Sequence, residues 1–233
     1  MKYILIVLIF LIGKQAQAQN ELKNRKFRAP LWTTHDTDVD IVGASFGFVP
    51  RDLTKDKSLV RTYGLRVEAF PLSFFYFMAP KSPLSTYNEE YYSTLKGNAS
   101  EHINGLNIAT GSFEEIDVNG ISTTLFLHYS RKHNGIAVAG VTNTIERGNG
   151  LMIAYGGNDV YHGNGMMLGT LFGNATNTFN GLQISAANFI SEKGTGLQIG
   201  LFNSATNFRG LQLGLWNKNS KRSLPFINWQ FKG

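Results

Sequence analysis

The 233-residue chain contains no cysteine. Disulfides, thiol nucleophiles and thiolate metal sites are therefore excluded, and a chain sent to an oxidising compartment loses nothing by it. No Gly-x-Ser-x-Gly elbow, phosphate loop or dinucleotide fingerprint occurs. His102, His128, His133 and His162 fall at no ligand spacing and have no acid partner pattern. No catalytic, cofactor-binding or metal-binding residue is nominated, and the chain reads as a non-enzyme without cofactors. Long apolar runs are also missing. The longest, Tyr3 to Gly13, is far short of the roughly 20 residues of a spanning helix. Charge is scarce where the sequence is most regular. Between Gly105 and Trp216, Arg131, Lys132, Arg147, Lys193 and Arg209 nearly balance Glu114, Glu115, Asp117, Glu146, Asp159 and Glu192. All but Arg209 are assigned to turns, leaving eight strands with no charge on either face.

What the chain does have is glycine, 25 residues of it, and much of it is periodic. Gly196-Leu197-Gln198-Ile199-Gly200-Leu201-Phe202-Asn203 returns as Gly210-Leu211-Gln212-Leu213-Gly214-Leu215-Trp216-Asn217. The leading glycines fall at 105, 120, 135, 150, 165, 181, 196 and 210. After each glycine come an aliphatic residue, a variable one, usually a second aliphatic, then a small one. Apolar residues at every second position indicate a strand with two unlike faces. A helix is excluded, because each interior glycine would cost it about 1 kcal/mol. Asn and Ser clusters such as Asn203 to Asn207 read as turns. Degenerate copies begin at Gly43 and Gly64, Phe74 to Met78 suits a strand, and Pro225 to Phe231 is a last one.

Met1-Lys2, the apolar run and Ala16-Gln17-Ala18 form a secretory leader, residues 1–18, cut before Gln19. Residues 19–40 form a polar N-terminal segment, and 41–231 a single β-repeat domain with loop insertions at 51–61 and 79–103. The formal charge of +6 is concentrated at Lys23, Arg25, Lys26 and Arg28. This is a solvated basic tail, and export removes it from nucleic acid. Asp36, Asp38 and Asp40 alternate as in a calcium loop, but Ile41 stands where glycine is needed and no glutamate closes the loop. They are assigned to a polar lead-in. Tyr87, Tyr91 and Tyr92 in the second loop more often pack a loop onto its scaffold than recognise a partner.

Identical strands close in one of two ways. An antiparallel meander of twelve strands gives an outer-membrane barrel. A β-solenoid gives coils of 15 residues with Leu and Ile inside and Gln183, Gln198 and Gln212 stacked outside. Even strand count, two long loops on one side, the echo between Asn174–Asn177 and Ser204–Asn207, and the missing charge favour the barrel. The tandem Gly-Leu-Gln-Ile-Gly-Leu-Phe-Asn units and the Leu224-Pro225-Phe226-Ile227-Asn228-Trp229 ending resemble the bacterial surface repeat-containing protein family. The likeness is strong over 105–231 and weak over 41–78; Gly120 to Ser130 departs most, with Thr123 at an aliphatic position. It implies export and a surface or envelope address and brings no catalytic residues. The expectation is a non-enzymatic envelope protein, an outer-membrane barrel with interaction loops. The alternative is a secreted soluble solenoid serving as a binding or adhesion scaffold. The membrane and an unspecified protein or surface ligand are the expected partners.

Overall fold

The chain is a β-solenoid of about twelve turns, seen in a computed structural model that describes residues 25–51, 58–78, 83–111 and 114–231. The segment expected to be a leader, residues 1–18, lies outside these residues. Strands β1 (Lys26–Arg28) and β2 (Leu31–Thr33) pair with β3 (Val39–Gly47). Then β4 (Val60–Glu68), β5 (Glu101–Ala109), β6 (Ile116–Thr124), β7 (Leu127–Ala139), β8 (Thr142–Ala154), β9 (Gly157–Gly169), β10 (Gly173–Ile184), β11 (Ala187–Ile199) and β12 (Phe202–Lys218) follow in strict chain order. Every pair from β3 to β12 is parallel. Only β13 (Ser223–Gln230) turns back, antiparallel to β12.

This overturns the barrel. The repeat glycines explain why. Gly43, Gly64, Gly105 and the seven that follow pair in one unbroken column. Each has φ between +118° and +152°, a mirror-β conformation that essentially only glycine adopts. Parallel coils also set like residue beside like residue. Asn143, Asn158, Asn174, Asn188, Asn203 and Asn217 form an interior amide ladder with steps of 2.8–2.9 Å. Gln183, Gln198, Gln212 and Asn228 form a second. An antiparallel meander would not bring identical amides together at every step.

The ladders also invert the expected polarity. Gln183, Gln198 and Gln212 are inside, not outside, and Asn203, read as a turn, is a buried strand residue. An amide bonded above and below needs no water, so it can be buried without an unsatisfied group. Between the ladders lies an apolar core of Ala137, Ile145, Met152, Val160, Met167, Phe179, Ile190, Ala205 and Phe208. The charges are not confined to turns either. Asp117, Arg131, Glu146 and Asp159 all sit within strands.

Three further expectations change. The apolar run after Phe70 is a 3-10 segment, Pro71–Met78, because Pro71 has no N–H for a ladder. Residues 26–33, assigned to a polar segment, start the stack. The aspartates beside them serve cations. Asp36 accepts Lys26 Nζ at 2.6 Å, which holds its pKa down at about 2, and Asp40 accepts from Arg25.

The expected interaction loops are anchored to the solenoid. Arg51 is buried and donates to Asp36 O and Ser58 O; residues 52–57 and 79–82 lie outside those described. Residues 83–97 carry helix α1 (Asn88–Lys96) and dock on a flank of β7–β9. Glu146 accepts Ser85 N and Oγ at 2.9 Å, Arg131 donates to Gly97 O, and Tyr91 stacks on Tyr161 at 4.7 Å. Tyr91 thus packs the loop, as tyrosines in such segments commonly do. Replacing Tyr161 by Ala should free α1 without unfolding the coils. Limited proteolysis should then cut within 83–97 many times faster, while a fragment beginning near Glu101 persists. An unchanged cleavage rate would show that Tyr161 does not hold the helix.

Candidate functional site

Alternation fixes which side chains face inward. Two residues past each column glycine, the side chain enters the core, and in the early coils these are Ser45, Arg66, Asn107 and Ser122, all buried. Arg66 lies at the centre of an ionic cluster. It donates through Nε to Glu101 Oε2 at 2.7 Å, and through Nη2 to Glu68 Oε2 at 2.6 Å and Glu114 Oε2 at 2.7 Å. Nη1 donates to Asn107 Oδ1 at 3.1 Å. From there Asn107 Nδ2 reaches Ser122 Oγ at 2.8 Å, Ser122 Oγ lies 3.4 Å from His128 Nδ1, and His128 Nε2 lies 3.4 Å from His133 Nδ1.

Electrostatics place the charge at one end of this chain. Burial depresses both histidines, His133 to about 4 and His128 well below its ordinary value, so both are neutral at pH 7. Burial, against the pull of Arg66, drives the Glu114 carboxyl well above the usual carboxylate range, and Glu101 and Glu68 push it further. The oxygens of Glu68, Glu101 and Glu114 lie within 4.8 Å of one another, close enough to share a cation. Arg66 already bonds all three, so the guanidinium takes the role that an ion would have. The cluster is sealed: Arg66 is 0% exposed and Glu114 0%. No substrate reaches it, and its work is to hold the early coils together.

Sequence reasoning nominated none of these residues. A signal was present, since Arg66 and Asn107 occupy the position that holds Ala137, Met152 and Met167 in later repeats. A charged residue at an inward position of a repeat strand requires a buried partner.

Asp159, half-buried in β9, has no cation among the causes of its pKa shift. Burial alone raises its pKa to about 6. A raised folded pKa means that its stabilising contribution is present in acid and lost as pH rises through about 6. Asp159→Asn should therefore stabilise the chain by about 1–2 kcal/mol at pH 8 and by almost nothing at pH 4. Denaturant titrations at the two pH values check this; an equal gain at both would mean that charge is not the cause.

The opposite face is reachable. One residue past each glycine, Leu65, Leu106, Ile121, Ile136, Leu151, Met166, Leu182, Leu197 and Leu211 form an outward column. Three residues past, Phe46, Val67, Ile108, Val138, Ile153, Leu168, Ile184, Ile199 and Leu213 form a second, broken by Thr123. These side chains are half-buried by their neighbours in the column or exposed outright. One residue before the glycine, Asn104, Asn119, Asn134, Asn149, Asn164 and Asn180 form an outer amide ladder with steps of 2.8–3.1 Å. Where strands turn into the next coil, Leu125, Tyr155, Leu171, Phe172, Leu201 and Phe202 form a ridge that Leu215 and Trp216 of β12 continue, each at least 50% exposed. Soluble proteins seldom leave so long a contiguous apolar surface in water unless something covers it.

Fold and surface together define a repeat-built β-solenoid with one apolar flank. Comparison with protein families, with curated proteins and with solved structures finds no match for the chain.

Proposed function

We propose that this chain is an exported, non-enzymatic cell-envelope protein whose solenoid is a binding scaffold, with the outward apolar flank as its contact surface. The observation that carries this reading is the flank itself. Two apolar columns and an exposed ridge run the length of the stack on a backbone whose hydrogen bonds are already made. The leader at residues 1–18 and the resemblance to bacterial surface repeat proteins support the address. The cluster around Arg66 is sealed from substrate, and the reading gives it a structural role.

The flank can be tested with the chain's lack of cysteine, since one introduced thiol is unambiguous. In a Phe172→Cys variant, the purified chain at high dilution should react quickly with a water-soluble maleimide. The same residue in the envelope of the producing cell should be protected. Equal reactivity in both settings would mean that nothing covers the flank, and the reading would fail.

A further inference from the structure

We propose that the occupant of this flank is the surface of an anionic lipid bilayer, entered ridge first, so that the solenoid lies on a membrane rather than crossing it. This rests on the reading of the flank as a contact surface and names its partner.

The chemistry of the outward columns is graded across the face, and the grading is what selects a bilayer. Three residues before the glycines the column runs from Asp40 and Arg61 through His102, Asp117, Lys132, Arg147 and His162, with Lys193 two coils further on. Its two acids are committed, Asp40 to Arg25 and the largely buried Asp117 to Arg131. Burial lowers the pKa values of His102 and His162, so the charge the column presents is that of Arg61, Lys132, Arg147 and Lys193. Next comes the amide ladder, then the two apolar columns, then the ridge. From one margin to the other the order is basic, amide, aliphatic, aromatic. A lipid–water boundary has the same order: anionic headgroups, the hydrated interface, then hydrocarbon. A second copy of the chain would need no such gradient, because two-fold pairing sets a face against itself.

Size agrees. Ten coils at about 4.8 Å spacing, counting from β3 to β12, by four residues at about 3.4 Å give an apolar strip of about 43 by 14 Å, roughly 600 Å² before the ridge is added. That is at the upper end of what monomeric proteins leave exposed.

The ridge is also competent to leave water. Backbone groups that enter hydrocarbon must already be bonded. Tyr155 N donates to Ala139 O, Leu171 N to Tyr155 O, Phe172 N to Gly156 O, Phe202 N to Ala186 O and Trp216 N to Leu201 O. Each turn is tied to the coil before it, so the ridge presents side chains and few free N–H groups. No helix among the described residues is long and apolar enough to cross a membrane, and this mode of contact needs none.

The test is sedimentation of the full chain with vesicles of phosphatidylcholine, alone or mixed with phosphatidylglycerol. Wild type should bind the mixed vesicles at least tenfold more tightly, and added salt should remove most of that preference. Phe172→Ser/Phe202→Ser should lose at least tenfold on both kinds of vesicle. Arg147→Glu/Lys193→Glu should lose only the preference for anionic lipid. All three chains should keep one circular dichroism spectrum and one unfolding midpoint, since the replaced residues are exposed. A wild-type chain that stays in the supernatant with both vesicles at low salt overturns the proposal. If light scattering then shows a dimer that shields the Phe172→Cys thiol, the flank belongs to a second copy and the scaffold reading stands. A monomer with a freely reactive thiol, in cells as in solution, sinks both.

Discussion

Gly150→Ala is expected to cost about 3–5 kcal/mol, a large effect for a single methyl group. A Cβ at Gly150 would lie 2.0 Å from the carbonyl oxygen of Gly135, and the backbone there has φ +126°. The clash is with backbone on the neighbouring coil, so no side chain can rotate away to relieve it. Gly135 and Gly165 stand in the same relation to their own neighbours, so a local shift would be passed up and down the column. Gly97→Ala is the control. It has φ −59°, and its new methyl would meet only ordinary contacts at 3.4 Å and beyond. Its effect should be within about 0.5 kcal/mol. Urea unfolding of both variants measures the difference, and comparable losses would show that the glycine column is not a steric requirement.

Arg66→Met should be nearly as damaging at neutral pH and much less so in acid. The substitution removes the shared partner of Glu68, Glu101 and Glu114, all buried. Uncompensated charge in such a site costs about 3–5 kcal/mol. Glu114 already has a raised pKa, and losing Arg66 removes the largest pull that opposes its burial. Groups with raised folded pKa values stabilise the fold below their ordinary range and cease to do so as pH rises through the folded value. The variant should therefore recover most of its deficit near pH 4 and lose it again toward pH 7. Thermal unfolding across that range tests the sign. A deficit independent of pH would mean that lost packing of the arginine stem, not charge, is responsible.

The repeat glycines, the strand period and the all-β class are legible in the sequence because alternation and spacing are local. Closure is not, because a strand of a given pattern is the same object in a barrel and in a solenoid. The deeper difficulty is polarity. In the solenoid alternative Leu197 and Ile199 read as core and Gln198 as surface, yet Gln198 is 1% exposed and its aliphatic neighbours face out. The rule that polar residues face water fails when every amide finds a like amide one coil away, and that pairing exists only in three dimensions. Likewise the resemblance between Asn174–Asn177 and Ser204–Asn207 suggested alternating turns. Asn174 and Asn203 are instead members of the buried ladder. The cluster around Arg66 draws Glu68 from its own strand, Glu101 from the start of β5 and Glu114 from beyond its end, so no contiguous motif marks it. The outward flank was written in the sequence throughout, as the most regular hydrophobic positions in the chain; what could not be read was which way they point.

Gly43, Gly64 and Gly105 are 21 and 41 residues apart, whereas most later column glycines are 15 apart, yet all stack in one register. The column closes over the surplus chain. Each of β4 to β12 is hydrogen-bonded only to the strands immediately before and after it. A slipped copy of one unit during replication would therefore insert a coil that meets neighbours identical to those it displaced. The molecule would grow by about 4.8 Å and still fold, since nearest-neighbour interfaces are conserved in kind. Length becomes a quantity that a lineage can adjust by counting, without redesigning any surface. Growth is bounded at one end by β13, whose reversed direction, with Pro225 denying it a backbone N–H, offers no parallel template for another coil.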